Sequence, residues 1–135
     1  MARLLVVDDE EKIRLIIRKY AEMEGHQVTE AKDGIEAVSI CALEDFDVII
    51  LDVMMPGMDG FELVQQIRKS VNQQIKNIPV IALSARDDMH EKEYQEAGFS
   101  AYLNKPYTPE QLYSRVNNLL GCAITTKQPT TQMSD

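Results

Sequence analysis

Asp8, Asp9 and Glu10 follow the apolar run Leu4-Leu5-Val6-Val7, and Asp52 follows Val48-Ile49-Ile50-Leu51. Ser84 closes Pro79-Val80-Ile81-Ala82-Leu83, and Lys105 stands just past a shorter run around Ala101 to Leu103. Carboxylates brought close together repel, and each one's pKa rises unless a cation lies between them. Oxygen-only ligands with open positions suit Mg²⁺, with Mn²⁺ as the alternative, better than zinc, and neither His nor Cys stands near these run ends. A carboxylate can also be a nucleophile and form an aspartyl-phosphate. Phosphoryl transfer needs positioning and charge neutralisation more than proton chemistry. Asp52 is then the candidate attacking group, and Asp8 and Asp9 with a backbone carbonyl are candidate metal ligands. Lys105 and Ser84 are candidates to bind the remaining phosphoryl oxygens.

These groups can act together only if their runs are neighbouring strands. Each run is followed by residues at helical spacing: Ile13, Ile16, Ile17 and Tyr20, closed by Gly25, after the first. A second, weaker strand spans His26 to Ala31. Its helix begins at Asp33, with Glu36 three residues on as in a capping box, and is expected to carry Ile35, Val38 and Ala42 on one face. The loop Met54-Met55-Pro56-Gly57-Met58-Asp59-Gly60 leads to a third helix with Leu63, Val64, Ile67 and Val71. A fourth helix, around Met89 to Ala97, has few apolar candidates besides Tyr94, and Gly98 ends it. Thr108, Pro109 and Gln111 mark the start of the last helix, whose stripe is Tyr113, Val116 and Leu120. The continuously apolar third run implies a central strand buried on both faces. Strand and helix alternating five times predict an α/β fold: a doubly wound, five-stranded parallel sheet with helices on both faces. In such sheets the ligand site lies outside the carboxyl ends of the strands, where strand order reverses.

The 135 residues make one domain, 44% hydrophobic and 27% charged, able to bury roughly two thirds of the unfolded surface. Fourteen Lys and Arg against 22 Asp and Glu leave a net charge of −8, which argues against direct nucleic-acid contact and against an anionic membrane surface. No apolar run approaches the ~20 residues needed to span a bilayer and no signal segment is evident, so a cytoplasmic protein is expected. Cys41 and Cys122 match no metal or disulfide spacing and read as reduced, structural thiols. Residues 1–121 are the expected domain, and 122–135 read as a disordered tail or linker stub.

Val7-Asp8-Asp9-Glu10, Leu51-Asp52-Val53-Met54-Met55-Pro56-Gly57-Met58-Asp59-Gly60, Ser84-Ala85 and Tyr102-Leu103-Asn104-Lys105-Pro106 occur in an order and spacing that resemble the receiver domain of a two-component response regulator over residues 2–120. That resemblance implies a flavodoxin-like (βα)5 fold and phosphorylation of Asp52 by a histidine kinase or phosphotransfer protein. It also implies Mg²⁺ dependence, with Asp8, Asp9, Asp52 and the Met54 backbone carbonyl as ligands. The domain would be a phosphoacceptor that assists its own chemistry rather than an enzyme. On phosphorylation the Ser84 hydroxyl would turn toward the phosphoryl group and the Tyr102 ring would move inward. The face formed by the fourth helix, fifth strand and fifth helix would then change its preference for a downstream protein or effector domain.

Several positions also have plainer readings. Asp8 or Asp9 is expected to cap the first helix as well. Pro106 restricts Lys105 to extended backbone and allows a cis bond that aims its side chain inward. The methionines of the 54–58 loop read as packing, and His26 and His90 as surface residues. Ser100 and Ala101 stand where DNA-binding receivers carry acids that pair across a dimer, so those pairs are not expected. Met54 and Arg86, two residues past Asp52 and Ser84, lie where family members control water access, and Met54 cannot orient a water by hydrogen bonding. The rival reading is a Mg²⁺-dependent aspartyl-phosphate phosphohydrolase, which would need a carboxylate at position 54. A flavodoxin would need a phosphate-binding loop where Asp8 to Glu10 stand.

Overall fold

The computed structural model describes residues 2–55, 57–85 and 90–127, with the side chains of 122–127 excepted. Five strands, β1 (Arg3–Val7), β2 (Gln27–Ala31), β3 (Val48–Asp52), β4 (Val80–Ser84) and β5 (Ala101–Asn104), form one parallel sheet in the order β2-β1-β3-β4-β5. The helices are α1 (Glu11–Met23), α2 (Gly34–Cys41), α3 (Gly60–Arg68), the single turn α4 (Gln73–Lys76), α5 (Glu91–Ala97) and α6 (Pro109–Lys127). The fourth and fifth helices expected from the sequence are thus α5 and α6. The chain steps from β1 outward to β2, returns past β1 to β3 and continues to β5, so the reversal falls between β1 and β3.

Alternate residues of each strand supply two cores. Leu5, Val7, Ile49, Leu51, Val80 and Ala82 face α2, α3 and α5, where they meet Ala37, Leu63, Val64, Ile67 and Tyr94. Leu4, Val6, Val48, Ile50, Ile81 and Leu83 face α1 and α6, where they meet Ile17, Ala21, Leu112, Tyr113 and Val116. Every residue of β3 and β4 is buried, as the unbroken apolar runs required.

Three helix faces differ from the sequence expectation. α2 buries Gly34, Ala37 and Cys41, while Ile35 and Val38 are exposed. The two stripes are offset by one residue, and small side chains let the helix lie close: a Cβ on Gly34 would fall 2.7 Å from Met58 Sδ. α1 buries Ile17 and Ala21 and leaves Ile16 and Tyr20 half exposed. Val71 is 98% exposed and outside α3, because Lys69 caps that helix and Asn72 then starts α4, its Oδ1 accepting the N–H groups of Gln74 and Ile75. Pro56, Arg86, Met89 and the Cys122 side chain lie outside the described residues, as do 128–135. The backbone of α6 continues to Lys127, past the Gly121 at which the sequence reading ends the domain.

Caps fix where the helices begin. Thr108 Oγ1 accepts the Gln111 N–H (3.1 Å) and Gln111 Oε1 accepts the Thr108 N–H (2.9 Å). Asp33 accepts the Glu36 N–H at 2.8 Å, but Glu36 Oε1 accepts from Lys32, so the box expected there is only half made. Asp59 and Glu62 complete a box at α3. At the sheet's opposite edge the partly buried Arg68 guanidinium donates to the carbonyls of Gly98 (2.8 Å), Lys76 (2.8 Å) and Ile78 (2.6 Å) and to Ser100 Oγ (3.3 Å). It ties the ends of α3, α4 and α5 to the starts of β4 and β5. Gly98 ends α5 at φ 113°, a left-handed conformation that glycine adopts without strain.

Gly60 packs against the chain leaving β3: its N–H donates to the Val53 carbonyl at 3.0 Å, and a Cβ there would fall 2.5 Å from Val53 Cα. Backbone cannot yield as a flexible side chain does. Gly60→Ala should therefore cost about 2 kcal/mol or more in urea unfolding. Gly121→Ala, on the exposed face of α6 with nothing within 4 Å, should gain roughly 0.5 kcal/mol in the same assay. Equal effects at the two positions would refute this account of the β3–α3 junction.

Candidate functional site

The strand order brings the ends of β1 and β3 side by side. Asp8, Asp9 and Asp52 each present a carboxylate oxygen within 4.8 Å of the others. Asp8 (1% exposed) and Asp52 (4%) are buried, and Asp9 and Glu10 are exposed. Two bonds of the same form orient the buried pair: the Glu10 N–H donates to Asp8 Oδ1 at 2.8 Å, and the Met54 N–H to Asp52 Oδ1 at 3.0 Å. The expected capping of α1 by an aspartate is not made. Glu10 holds the N-cap position without a side-chain bond, because Asp8 is turned to Glu10's own N–H.

Lys105 reaches the cluster from the end of β5, its Nζ 3.2 Å from Asp52 Oδ2. The Lys105-Pro106 bond is cis, and the Lys105 N–H donates to the Ser84 carbonyl at 2.8 Å, seating the loop on β4. Ser84 itself is fully buried at the end of β4. The six residues expected to meet on one rim therefore stand at neighbouring strand ends. Met55 is buried and Met58 partly buried, in keeping with their reading as packing, but Met54 is 60% exposed at the lip and, contrary to that reading, joins neither core.

Burial pushes the Asp8 carboxyl up to about 6; Asp52 and Asp9 add to the rise, and the Glu10 N–H and Lys105 oppose it. Among the described residues Asp8 Oδ2 has no hydrogen-bond partner despite its burial. An oxygen so placed beside two further carboxylates, with no nitrogen or sulfur donor in the cluster, fits a hard divalent cation.

Two residues near the rim escaped the sequence reading. Arg14 donates through Nη1 to the Asp8 carbonyl (2.7 Å) and through Nε to Glu30 Oε1 (2.9 Å), so α1 and β2 together hold the backbone carrying the acids. Its sequence signal is an arginine inside the apolar stripe that begins at Ile13. Tyr107, partly buried past Pro106, has its hydroxyl pushed up to about 12 by burial, with Asp8 and Asp52 contributing. His26, expected on the surface, is partly buried at the other edge of the sheet. Its Nδ1 accepts the Ala2 N–H (3.1 Å), its ring stacks on Tyr113 at 6.4 Å, and burial lowers its pKa. His90 is exposed, its N–H donating to Glu93 Oε1 at 2.8 Å. Cys41 is a buried free thiol whose pKa burial raises to about 11. Among the described residues no helix is long and apolar enough to cross a membrane.

The chain resembles the response regulator SaeR of Staphylococcus aureus, with 39% identity over 121 residues, 89% of this chain and 51% of that protein. It thus spans about half the length of the curated relatives it matches. Among solved structures, the receiver domain of the Francisella response regulator 1452 is 37% identical, with a TM-score of 0.82 over 91% of this chain and 99% of that one. Response regulator TrrA of Thermotoga maritima, solved in complex with Mg²⁺ and BeF, is 31% identical, with a TM-score of 0.76 over 88% and 99% of the two chains. The family model described as the response regulator receiver domain matches residues 4–117, from β1 well into α6, and the chain belongs to that family.

Proposed function

We propose that this receiver domain is a phosphorylation-controlled signalling module whose phosphoacceptor is Asp52. The observation that carries the reading is the Asp52 carboxylate, buried at the end of β3, contacted by Lys105 Nζ and crowded by Asp8 and Asp9. The Met54 N–H and Lys105 each hold one of its oxygens, so the nucleophile is oriented before a donor arrives. On transfer from a phosphohistidine, the P–N bond breaks, a P–O bond to Asp52 forms, and the departing histidine takes up a proton. Lys105 then offsets charge on the phosphoryl oxygens, and Ser84 contacts another of them. Asp8, Asp9, Asp52 and the Met54 carbonyl would hold Mg²⁺, or Mn²⁺ in its place, which supplies charge neutralisation when bound.

The donor is a histidine kinase or phosphotransfer protein in the cytoplasm. The output is a change in protein binding at the face of α5, β5 and α6, with Ser84 and Tyr102 as the moving parts. The domain has no turnover substrate of its own. An effector domain, where one is joined to it, reads that face.

Acetyl phosphate or beryllofluoride with Mg²⁺ tests the assignment. Intact mass should rise by one phosphoryl group with acetyl phosphate, and beryllofluoride should shift backbone NMR signals around β3, β4 and β5. Both effects should vanish in Asp52→Asn or on chelation. Modification that persists in Asp52→Asn would sink the proposal.

The Asp8 carboxyl supplies a second test. Its pKa is about 6 in the fold against an ordinary 3.8, so between those values the folded state binds more protons than the unfolded state. Its contribution to stability is present below about pH 4 and is lost as pH rises through about 6. In chelator, Asp8→Asn should gain melting temperature over wild type as pH rises from 4.5 to 7. Mg²⁺ at ten times its Kd should stabilise wild type by about 1.4 kcal/mol at pH 7 and by less at pH 4.5, and should do little for Asp8→Asn. Equal Mg²⁺ stabilisation at the two pH values would contradict the cation site.

A further inference from the structure

Tyr94 of α5 is 1% exposed, the largest fully buried side chain among the described residues. Its ring lies nearly parallel to that of Tyr102 on β5, with centroids 4.7 Å apart and planes 8° from parallel. Phe61, the residue after Gly60 at the start of α3, lies 6.3 Å away at 18°, and Phe99 meets Tyr94 edge-on at 6.0 Å. An aromatic cluster thus joins β5, α5 and the first turn of α3. Among the described residues the Tyr94 hydroxyl has no hydrogen-bond partner.

These two observations oppose each other. The ring packs well, and a phenylalanine would pack equally well. The hydroxyl, however, forfeits its bonds to water on burial and gains none in exchange. The arrangement seen here is therefore less favourable than the ring contacts alone would make it. Tyr102 cannot move without either breaking the stack or carrying Tyr94 with it.

We infer that Tyr94 is a positioning residue for Tyr102, and that its unpartnered hydroxyl biases the stacked pair toward a second arrangement, selected by phosphorylation, in which that hydroxyl is hydrogen-bonded. This rests on the reading of Asp52 and Tyr102 given above. The bias lowers the cost of reaching the second arrangement and so tightens the apparent affinity for whatever selects it.

The test uses the full chain with fluorotyrosine at position 102, followed by ¹⁹F NMR during titration with beryllofluoride and Mg²⁺. In wild type the Tyr102 resonance should shift on saturation. Tyr94→Phe keeps the ring, so the resonance without beryllofluoride should stay in place and the melting temperature should rise. Its apparent affinity for beryllofluoride should fall by about three- to tenfold. Tyr94→Leu removes the stack, so the Tyr102 resonance should move even without beryllofluoride. Unchanged beryllofluoride affinity in Tyr94→Phe, with a normal wild-type response, would overturn this inference alone. A Tyr102 resonance untouched by Tyr94→Leu would also overturn it. No beryllofluoride response in wild type would overturn the phosphoacceptor reading and this inference together.

Discussion

The repulsion among Asp8, Asp9 and Asp52 is the constraint around which the domain is organised. Three carboxylates within 4.8 Å would separate if the chain allowed it. They are held because β1 and β3 are hydrogen-bonded neighbours, paired from Leu4 with Val48 to Val7 with Leu51. Slippage of that register would expose residues that now fill two cores. One backbone N–H satisfies an oxygen of Asp8 and another does so for Asp52. Lys105 brings the compensating positive charge from β5, two strands away from β3. The cost of crowding is thus met by the sheet's apolar faces, which contain no charged residue from β3 or β4 apart from Asp52 at its tip.

The strands and the rim were legible because strand ends are set by where apolar runs stop, and burial on both faces makes those runs unbroken. Asp52, Ser84 and Lys105 could be placed by counting from those ends. Helix faces were harder to read. For α2 the reading took the larger apolar residues as the buried stripe, but close approach to the sheet selects the smaller ones, Gly34, Ala37 and Cys41. Volume competes with hydrophobicity there, and a periodicity argument sees only the second. The turn of α4 escaped notice because its signal, Asn72 as cap, marks a helix too short to show a period. His26 and Arg14 were missed for a common reason. Their partners are the Ala2 N–H and the Asp8 carbonyl, and a backbone group carries no residue-type signature.

The two faces of the sheet divide the work. The α1 and α6 face is closed by aliphatic packing and by the Tyr113 hydroxyl on the Ile17 carbonyl at 2.6 Å. The opposite face gathers Phe61, Tyr94, Phe99 and Tyr102 into one aromatic cluster. Flat rings can re-stack at similar energy, whereas interlocked branched side chains cannot shift without opening voids. A structural rearrangement is therefore cheaper on the α5 side than on the α1 side.

Arg68 sets the far boundary of any such rearrangement. All four of its described acceptors are carbonyls or a hydroxyl, none of which takes up a proton in the range where Asp8 does. The guanidinium stays charged throughout that range. Acidification therefore alters the charge of the rim while the brace at the other edge keeps the same bonds. The rim thus responds to protons to which the bonds of Arg68 are indifferent, and α5 runs between the two.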